Sequence, residues 1–198
     1  MVRTLAIMTM TALVASSALA DEIAIKPKII SSQIKTDAER LSVNGINMNL
    51  ENDNSDDSTN GLGFGVDFEF KLADRAKLGS EVSYTTYEED DSEATDLALG
   101  GFLAYDFIAQ DNLSVYGKAG LSLHSFALEE FESASLLNTD LGLGVAFNVA
   151  PSVDLGGEYK YSTTLGKGDM SSEESSSVEL KDFSIQRNDI SVFMAFKF

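Results

Sequence analysis

From Glu39 to the last residue, apolar side chains recur at every second position in about eight separate stretches. A period of two puts the apolar residues of each stretch on one face of an extended chain, which commits the sequence to β-strands with two unlike faces. The clearest stretch sets Leu62, Phe64, Val66, Phe68, Phe70 and Leu72 against Gly61, Gly63, Gly65, Asp67, Glu69 and Lys71. The next sets Leu78, Val82 and Tyr84 against Lys77, Gly79, Glu81 and Ser83, and the fourth sets Leu97, Leu99, Leu103, Tyr105 and Phe107 against Ala98, Gly100, Phe102, Ala104 and Asp106. Later stretches repeat the pattern with Leu113 to Leu123, Leu141 to Val149 and Val153 to Tyr161. The final one, Ile190, Val192, Met194, Phe196 and Phe198, runs to the carboxylate, although chain ends normally fray into water. The first stretch, Arg40 to Leu50, changes parity between Val43 and Ile46 and reads as a strand with a bulge at Gly45.

The beginning of the chain reads as an export signal. Arg3 is the only charged residue before Asp21, an apolar run follows from Leu5 to Val14, and Ala18-Leu19-Ala20 supplies a small-x-small cleavage pattern. The run is shorter than the ~20 residues a spanning helix needs, so residues 1–20 are expected to be removed. No later apolar run is long enough for a membrane helix, so any membrane span must be β. Without cysteine the exported chain has no disulfide framework and no lipidated cysteine. The formal charge of −18 becomes −19 once Arg3 leaves, which argues against nucleic acid or anionic head groups as direct partners.

The connections sort by length. Ala73-Asp74-Arg75, Gln110-Asp111-Asn112 and Pro151-Ser152 are tight turns, whereas Glu51 to Asn60, Glu88 to Glu93, Glu129 to Ser135 and Gly166 to Lys181 are longer and polar, and the two kinds alternate. In an up-and-down barrel this places the tight turns and both termini at a periplasmic end and the long loops outside the cell. Phe68, Phe70, Tyr105, Phe107, Phe147, Phe196 and Phe198 fall toward the tight-turn ends and predict an aromatic girdle there. A soluble barrel with Leu and Phe inside would show the same alternation. It would require neither the signal, nor the turn asymmetry, nor the one-ended girdle, nor the terminal Phe. The expectation is an all-β, eight-stranded antiparallel transmembrane barrel over residues 39–198. Residues 21–38 are left as a periplasmic extension, an extra strand segment or a flexible arm.

The alternating strands and the terminal Phe198 resemble the small eight-stranded outer-membrane barrels, the OmpA-like transmembrane domain and the OmpX and opacity-protein group. The resemblance implies a monomeric protein among outer-membrane lipid and lipopolysaccharide, installed by the barrel-assembly machinery. It also implies that Ile190, Val192, Met194, Phe196 and Phe198 form the assembly signal. The cell-wall tethering of full-length OmpA-like proteins does not transfer, because no peptidoglycan-binding segment follows Phe198.

Three groups of residues are candidates for chemistry. The inward parity carries Asp67, Glu69, Lys71, Lys77, Glu81, Asp106, Lys118, Asp140, Glu158, Lys160, Arg187 and Asp189. Eight strands enclose a space that side chains just fill, so these charges are expected to pair into a polar core, the alternative being an ion path or gate. His124 lies near Ser122, Ser125 and Glu129, weakly similar to the lipid A deacylases, and is read as a structural histidine near the outer rim. Acidic loop residues, Asp53, Asp56, Asp57, Glu88 to Asp91, Glu93, Glu129, Glu130, Glu132, Asp169, Glu173 and Glu174, are read as solvated surface, with Ca²⁺, Mg²⁺ or host and surface ligands as the functional alternative. No cofactor is expected. The leading function is a structural or surface-contact role, followed by a narrow porin-like channel and then a lipid A-modifying enzyme.

Overall fold

A computed structural model describes residues 22–43, 46–49, 58–89, 92–128, 133–166, 168–171 and 178–198. The expected signal peptide, Gly45 and most of the acidic loop residues lie outside them. Ten strands follow one another: β1 Ile23–Val43, β2 Ile46–Asn49, β3 Thr59–Ala73, β4 Ala76–Glu89, β5 Ser92–Gln110, β6 Leu113–Leu128, β7 Ala134–Ala150, β8 Val153–Thr164, β9 Gly168–Ser171 and β10 Val178–Lys197. The eight long strands pair in chain order, and β10 returns to β1, closing an antiparallel barrel. At the closure, Phe198 N donates to Ile23 O at 2.9 Å and Ile23 N donates to Phe198 O at 3.2 Å. The short strands β2 and β9 lie beside the far ends of β1 and β10.

The first strand corrects the sequence reading. It begins at Ile23, so of the three readings of residues 21–38 the extra strand segment holds and the periplasmic extension and flexible arm do not; residues 23–38 are wall, and the barrel starts well before Glu39. Alternation is obscured there because Lys26 and Lys28 take inward positions and Pro27 an outward one. Pro27 is tolerated because the β1–β10 ladder has no paired positions between Ile25 and Lys28. The parity change after Val43 is a reversal of direction: β2 runs back along β1 with Ile46 opposite Val43. Two connections are also shorter than expected, since Glu88 pairs with Glu93 and Glu89 with Ser92, and the Gly166 to Lys181 segment contains β9 and the start of β10.

The face assignments follow the alternation. Outward Leu62, Phe64, Leu103, Leu141, Leu143, Ile190 and Val192 are all more than half exposed, while inward Asp67, Glu81, Lys118, Glu158 and Arg187 are buried. The expected girdle keeps Tyr105, Phe107, Phe147, Phe196 and Phe198 exposed at the tight-turn end. Phe68 is half-buried, and Phe70 is buried at 4 % exposure between its register partners Ile23 and Leu78.

Inside, the barrel is layered. Near the end opposite the tight turns, Ile34, Tyr87, Phe126, Ala134, Leu136 and Ile185 form an apolar layer. A second, toward the tight turns, consists of Phe102, Ala104, Tyr116, Ala146, Phe193 and Ala195. Its rings fit only because glycines face them: a β-carbon on Gly79 would lie 2.2 Å from the Phe102 ring, and one on Gly156 would lie 2.3 Å from the Phe193 ring. Charged side chains occupy the space between the layers.

Candidate functional site

The centre of the lumen is organised around Lys118 on β6. Its Nζ lies 2.8 Å from Asp67, 3.1 Å from Glu158 and 3.4 Å from Glu81, and 3.8 Å from the centre of the Phe102 ring. Lys28 joins Asp67 at 2.8 Å to Glu81 at 3.0 Å, and Lys160 joins Glu81 at 2.5 Å to Asp189 at 3.5 Å. Arg187 donates through Nε to Asp189 at 2.6 Å, through Nη1 to Asp96, and through Nη2 to Thr85 at 3.1 Å. Tyr116 donates to Glu158 at 2.9 Å. These groups come from strands on every side of the barrel, so the network ties the wall together across its axis.

Opposite charges in this arrangement follow from burial. A lone charge at such a depth costs several kcal/mol, and only close, multiple partners offset that cost. Asp67, Glu81 and Glu158 hold oxygens within 4.8 Å of one another, a grouping that would suit a metal ion. The Lys118 ammonium already sits among them, so the three carboxylates hold a cation supplied by the chain itself.

Other sequence candidates stand apart. Glu69 pairs with Lys26 at 2.5 Å, Lys77 with Asp106 at 2.9 Å, and Asp140 accepts from Ser162 at 2.6 Å. Lys71 reaches Glu22 at 3.9 Å where both are partly exposed. Lys26, Lys28 and Asp96 are members that the sequence reading missed. Asp96 shares the inward parity of Ala98, and Lys26 and Lys28 alternate with Ile25 and Ile29, so the same period-two signal extended by one or two steps would have found them.

Asp96 completes an arrangement of catalytic type. His124 Nδ1 lies 2.8 Å from Asp96 Oδ2, and Ser122 Oγ lies 2.9 Å from His124 Nε2. Nucleophile, base and orienting carboxylate are therefore in hydrogen-bond order. Reaction also requires room for a substrate. Ser122, His124 and Asp96 are 4 %, 1 % and 2 % exposed, and the cavity beside Ser122 holds about 10 Å³. That space admits about one water and no ester or acyl chain. The histidine acts here as a strut between β5 and β6 through Asp96, with Leu136 its register partner on β7 and Phe126 two residues further along its own strand.

Comparison with known proteins agrees with this architecture. The model of the family described as outer membrane protein beta-barrel domain matches residues 8–186. Among curated proteins none matches the chain in sequence. Among solved structures, Neisserial surface protein A is 20 % identical, with a TM-score of 0.59 over 88 % of this chain and 99 % of that one. The outer membrane protein OprG from Pseudomonas aeruginosa is 13 % identical, with a TM-score of 0.65 over 90 % and 96 %. Ail, the attachment invasion locus protein of Yersinia pestis, is 16 % identical, with a TM-score of 0.50 over 89 % and 98 %. At these identities the likeness is one of fold.

Proposed function

The chain belongs to the outer membrane protein beta-barrel domain family, and from that membership we propose that it works as a surface-contact and structural protein of the bacterial outer membrane rather than as a pore or an enzyme. The tight turns and termini then face the periplasm, and β2, β9 and the acidic connections face outward. The observation that carries the reading is the filled lumen. Apolar layers stand above and below a band of paired charges, which leaves the outer surface as the part free to meet a partner. Transport of solutes would need a continuous water column, and hydrolysis by Ser122 would need a substrate cavity; the side-chain packing supports neither.

The names of similar barrels point the same way, since one is called a surface protein and another an attachment and invasion protein. Outer-membrane lipid, lipopolysaccharide and the barrel-assembly machinery are the partners this reading requires. Divalent cations between acidic outer residues and lipopolysaccharide phosphates would strengthen the anchorage. The deciding experiment deletes the outer connections in turn in an expressing strain and scores attachment to surfaces, serum resistance and membrane integrity. Loss of one of these without loss of barrel insertion is expected. Unchanged scores throughout, with sustained conductance of the purified protein, would replace this reading with the channel.

A further inference from the structure

The membrane-facing wall is not evenly covered. At Gly117 and Ala119, two consecutive outward positions of β6, the side chains nearly vanish while their register partners are large. Tyr105 and Leu143 flank Gly117, and Leu103 and Leu141 flank Ala119. On β8, Tyr159 and Tyr161 stand opposite Leu143 and Leu141 and form the far bank. The result is an open, apolar groove of about 720 Å³ in the outer face of the wall. That volume belongs to the range of small-molecule sites rather than of gaps between packed side chains.

The banks of the groove are fixed in place. The Phe107 ring lies over Gly117, where a β-carbon would come within 2.7 Å of it, and meets the Tyr105 ring edge-on with 5.7 Å between centroids. Across the groove the Tyr159 hydroxyl donates to Asn188 at 2.6 Å. Side chains already held in this way lose little freedom when a ligand enters.

Position in the wall decides what the ligand is. Leu103, Tyr105, Phe107, Leu141, Leu143 and Tyr159 are between 45 % and 62 % exposed and share the outward parity that meets hydrocarbon. A rigid neighbour leaves a hollow of this kind unfilled and forfeits dispersion contacts along its floor, whereas a flexible chain recovers them. Phe107 is three residues from the end of β5 at Gln110, and Leu141 is nine residues from the end of β7 at Ala150. With strands tilted as in such barrels, the two ends of the groove stand roughly 7 and 21 Å above the tight turns. It therefore climbs from the periplasmic interface to the middle of a ~30 Å hydrocarbon core.

A cation stands at its foot. Arg75 occupies the tight turn between β3 and β4, is exposed, and accepts through its carbonyl from Asp106 N at 2.8 Å, one residue from Phe107. A lipid of the periplasmic leaflet has the matching form, with a phosphate at the interface and a hydrocarbon chain directed at the midplane. Lipid A enters from the opposite leaflet and would meet only the Leu141 end. A second copy related by a twofold axis would set hollow against hollow and fill neither. The net charge of −18 disfavours a lipid that is itself net anionic.

We propose that the groove over Gly117 and Ala119 is a binding site for a zwitterionic glycerophospholipid of the periplasmic leaflet. One acyl chain lies along Phe107, Tyr105 and Leu143 toward Leu141, and the phosphate meets Arg75. The site is on the wall of the barrel and does not depend on the surface-contact reading.

The test uses the full chain in mild detergent with one equivalent of phosphatidylethanolamine that carries a diazirine in one acyl chain. Native mass spectrometry is expected to show one retained phospholipid per chain, and illumination should crosslink it to 103–107, 117–119, 141–143 or 159–161. Ala119→Phe fills the floor of the groove from the lipid side and should lower retention at least about tenfold, whereas Val192→Phe, at an outward position on β10, should not. Arg75→Gln should also weaken retention. A heat-dependent gel shift checks that each variant keeps its barrel.

Crosslinks spread evenly around the wall, or retention indifferent to Ala119→Phe or to Arg75→Gln, would overturn the proposal. Preferential retention of lipid A or of phosphatidylglycerol, each supplied as competitor, would do the same. So would a native mass of two chains that Ala119→Phe abolishes, which would make the groove a self-association surface. If attachment is lost on deleting outer segments but no phospholipid is retained, the surface-contact reading stands and this one fails. If the lipid is retained as expected while those deletions change nothing, this one stands alone.

Discussion

The ring of Tyr116 lies so close to Gly144 on the neighbouring strand that a β-carbon there would come within 2.2 Å of the ring carbon bearing the hydroxyl. The tyrosine cannot simply swing aside, because it is 1 % exposed and its hydroxyl donates to Glu158 at 2.9 Å. Gly144→Ala should therefore cost about 1–3 kcal/mol of stability. Gly101→Ala, whose nearest neighbour would be Gly79 O at 3.8 Å, should cost little. Urea unfolding of both variants in lipid vesicles measures the contrast, and equal midpoints would refute the packing argument.

Lys118 supplies the charge that keeps Asp67, Glu81 and Glu158 together. Lys118→Ala should destabilise the barrel by about 3–5 kcal/mol, because it strands buried carboxylates. Adding Glu158→Gln should recover part of the loss by removing one of them. Non-additivity of the two changes in a double-mutant cycle is the expected signature, and strict additivity would show that the pair is not coupled.

Outward parity predicts a depth-dependent penalty. Val66→Arg and Met194→Arg should each cost roughly 2–4 kcal/mol, whereas Arg in place of the outer-connection residue Asp56 should be tolerated. Deleting Phe198 should separately impair assembly, since its backbone closes the barrel with Ile23. Equal tolerance at Val66 and Asp56 would mean that the faces had been exchanged.

The plugged lumen predicts electrical silence. Purified protein in planar bilayers should show at most small, infrequent openings, and Lys118→Ala should increase their number by loosening the central charge band. Steady, large openings from the unaltered protein would promote the channel reading.

Ser122 tests the enzymatic alternative. Ser122→Ala should leave lipid A unchanged in mass, because the cavity beside it is too small for a lipid, and should lower stability by about 1 kcal/mol through the lost hydrogen bond to His124. A lipid A species that disappears in this variant would reverse the assignment.

Much of this architecture was legible in the alternation because each face has a single environment. Asp74, Asp111 and Pro151 mark tight turns, and Lys118 and Glu158 take inward positions, as period and punctuation require. β1 was hidden for a physical reason: its lysines are buried against acids of other strands, a compensation invisible in local hydropathy. Its Pro27 also suggests an irregular segment until the gap in its ladder is seen. The Asp96–His124 contact was hidden differently. Twenty-eight positions separate the two residues, and only the β5–β6 register, which sets Asp96 opposite Phe126 and Ala98 opposite His124, brings them together. Sequence parity says which way a side chain points, and register is needed to say what it meets.

The pairing of β1 with β10 has a temporal meaning as well as a geometric one. Past Ile34 and Gln186, where β3 and β8 stop, β1 and β10 continue as a pair to Val43 and Val178, and because they are the first and last strands of the barrel this pair cannot form until the C-terminal strand has arrived and found its partner. An unfinished chain, with β3 to β8 in place and β10 unattached, would present none of the paired rows that unite Leu41 with Leu180. Formation of this paired segment therefore reports that the barrel has closed.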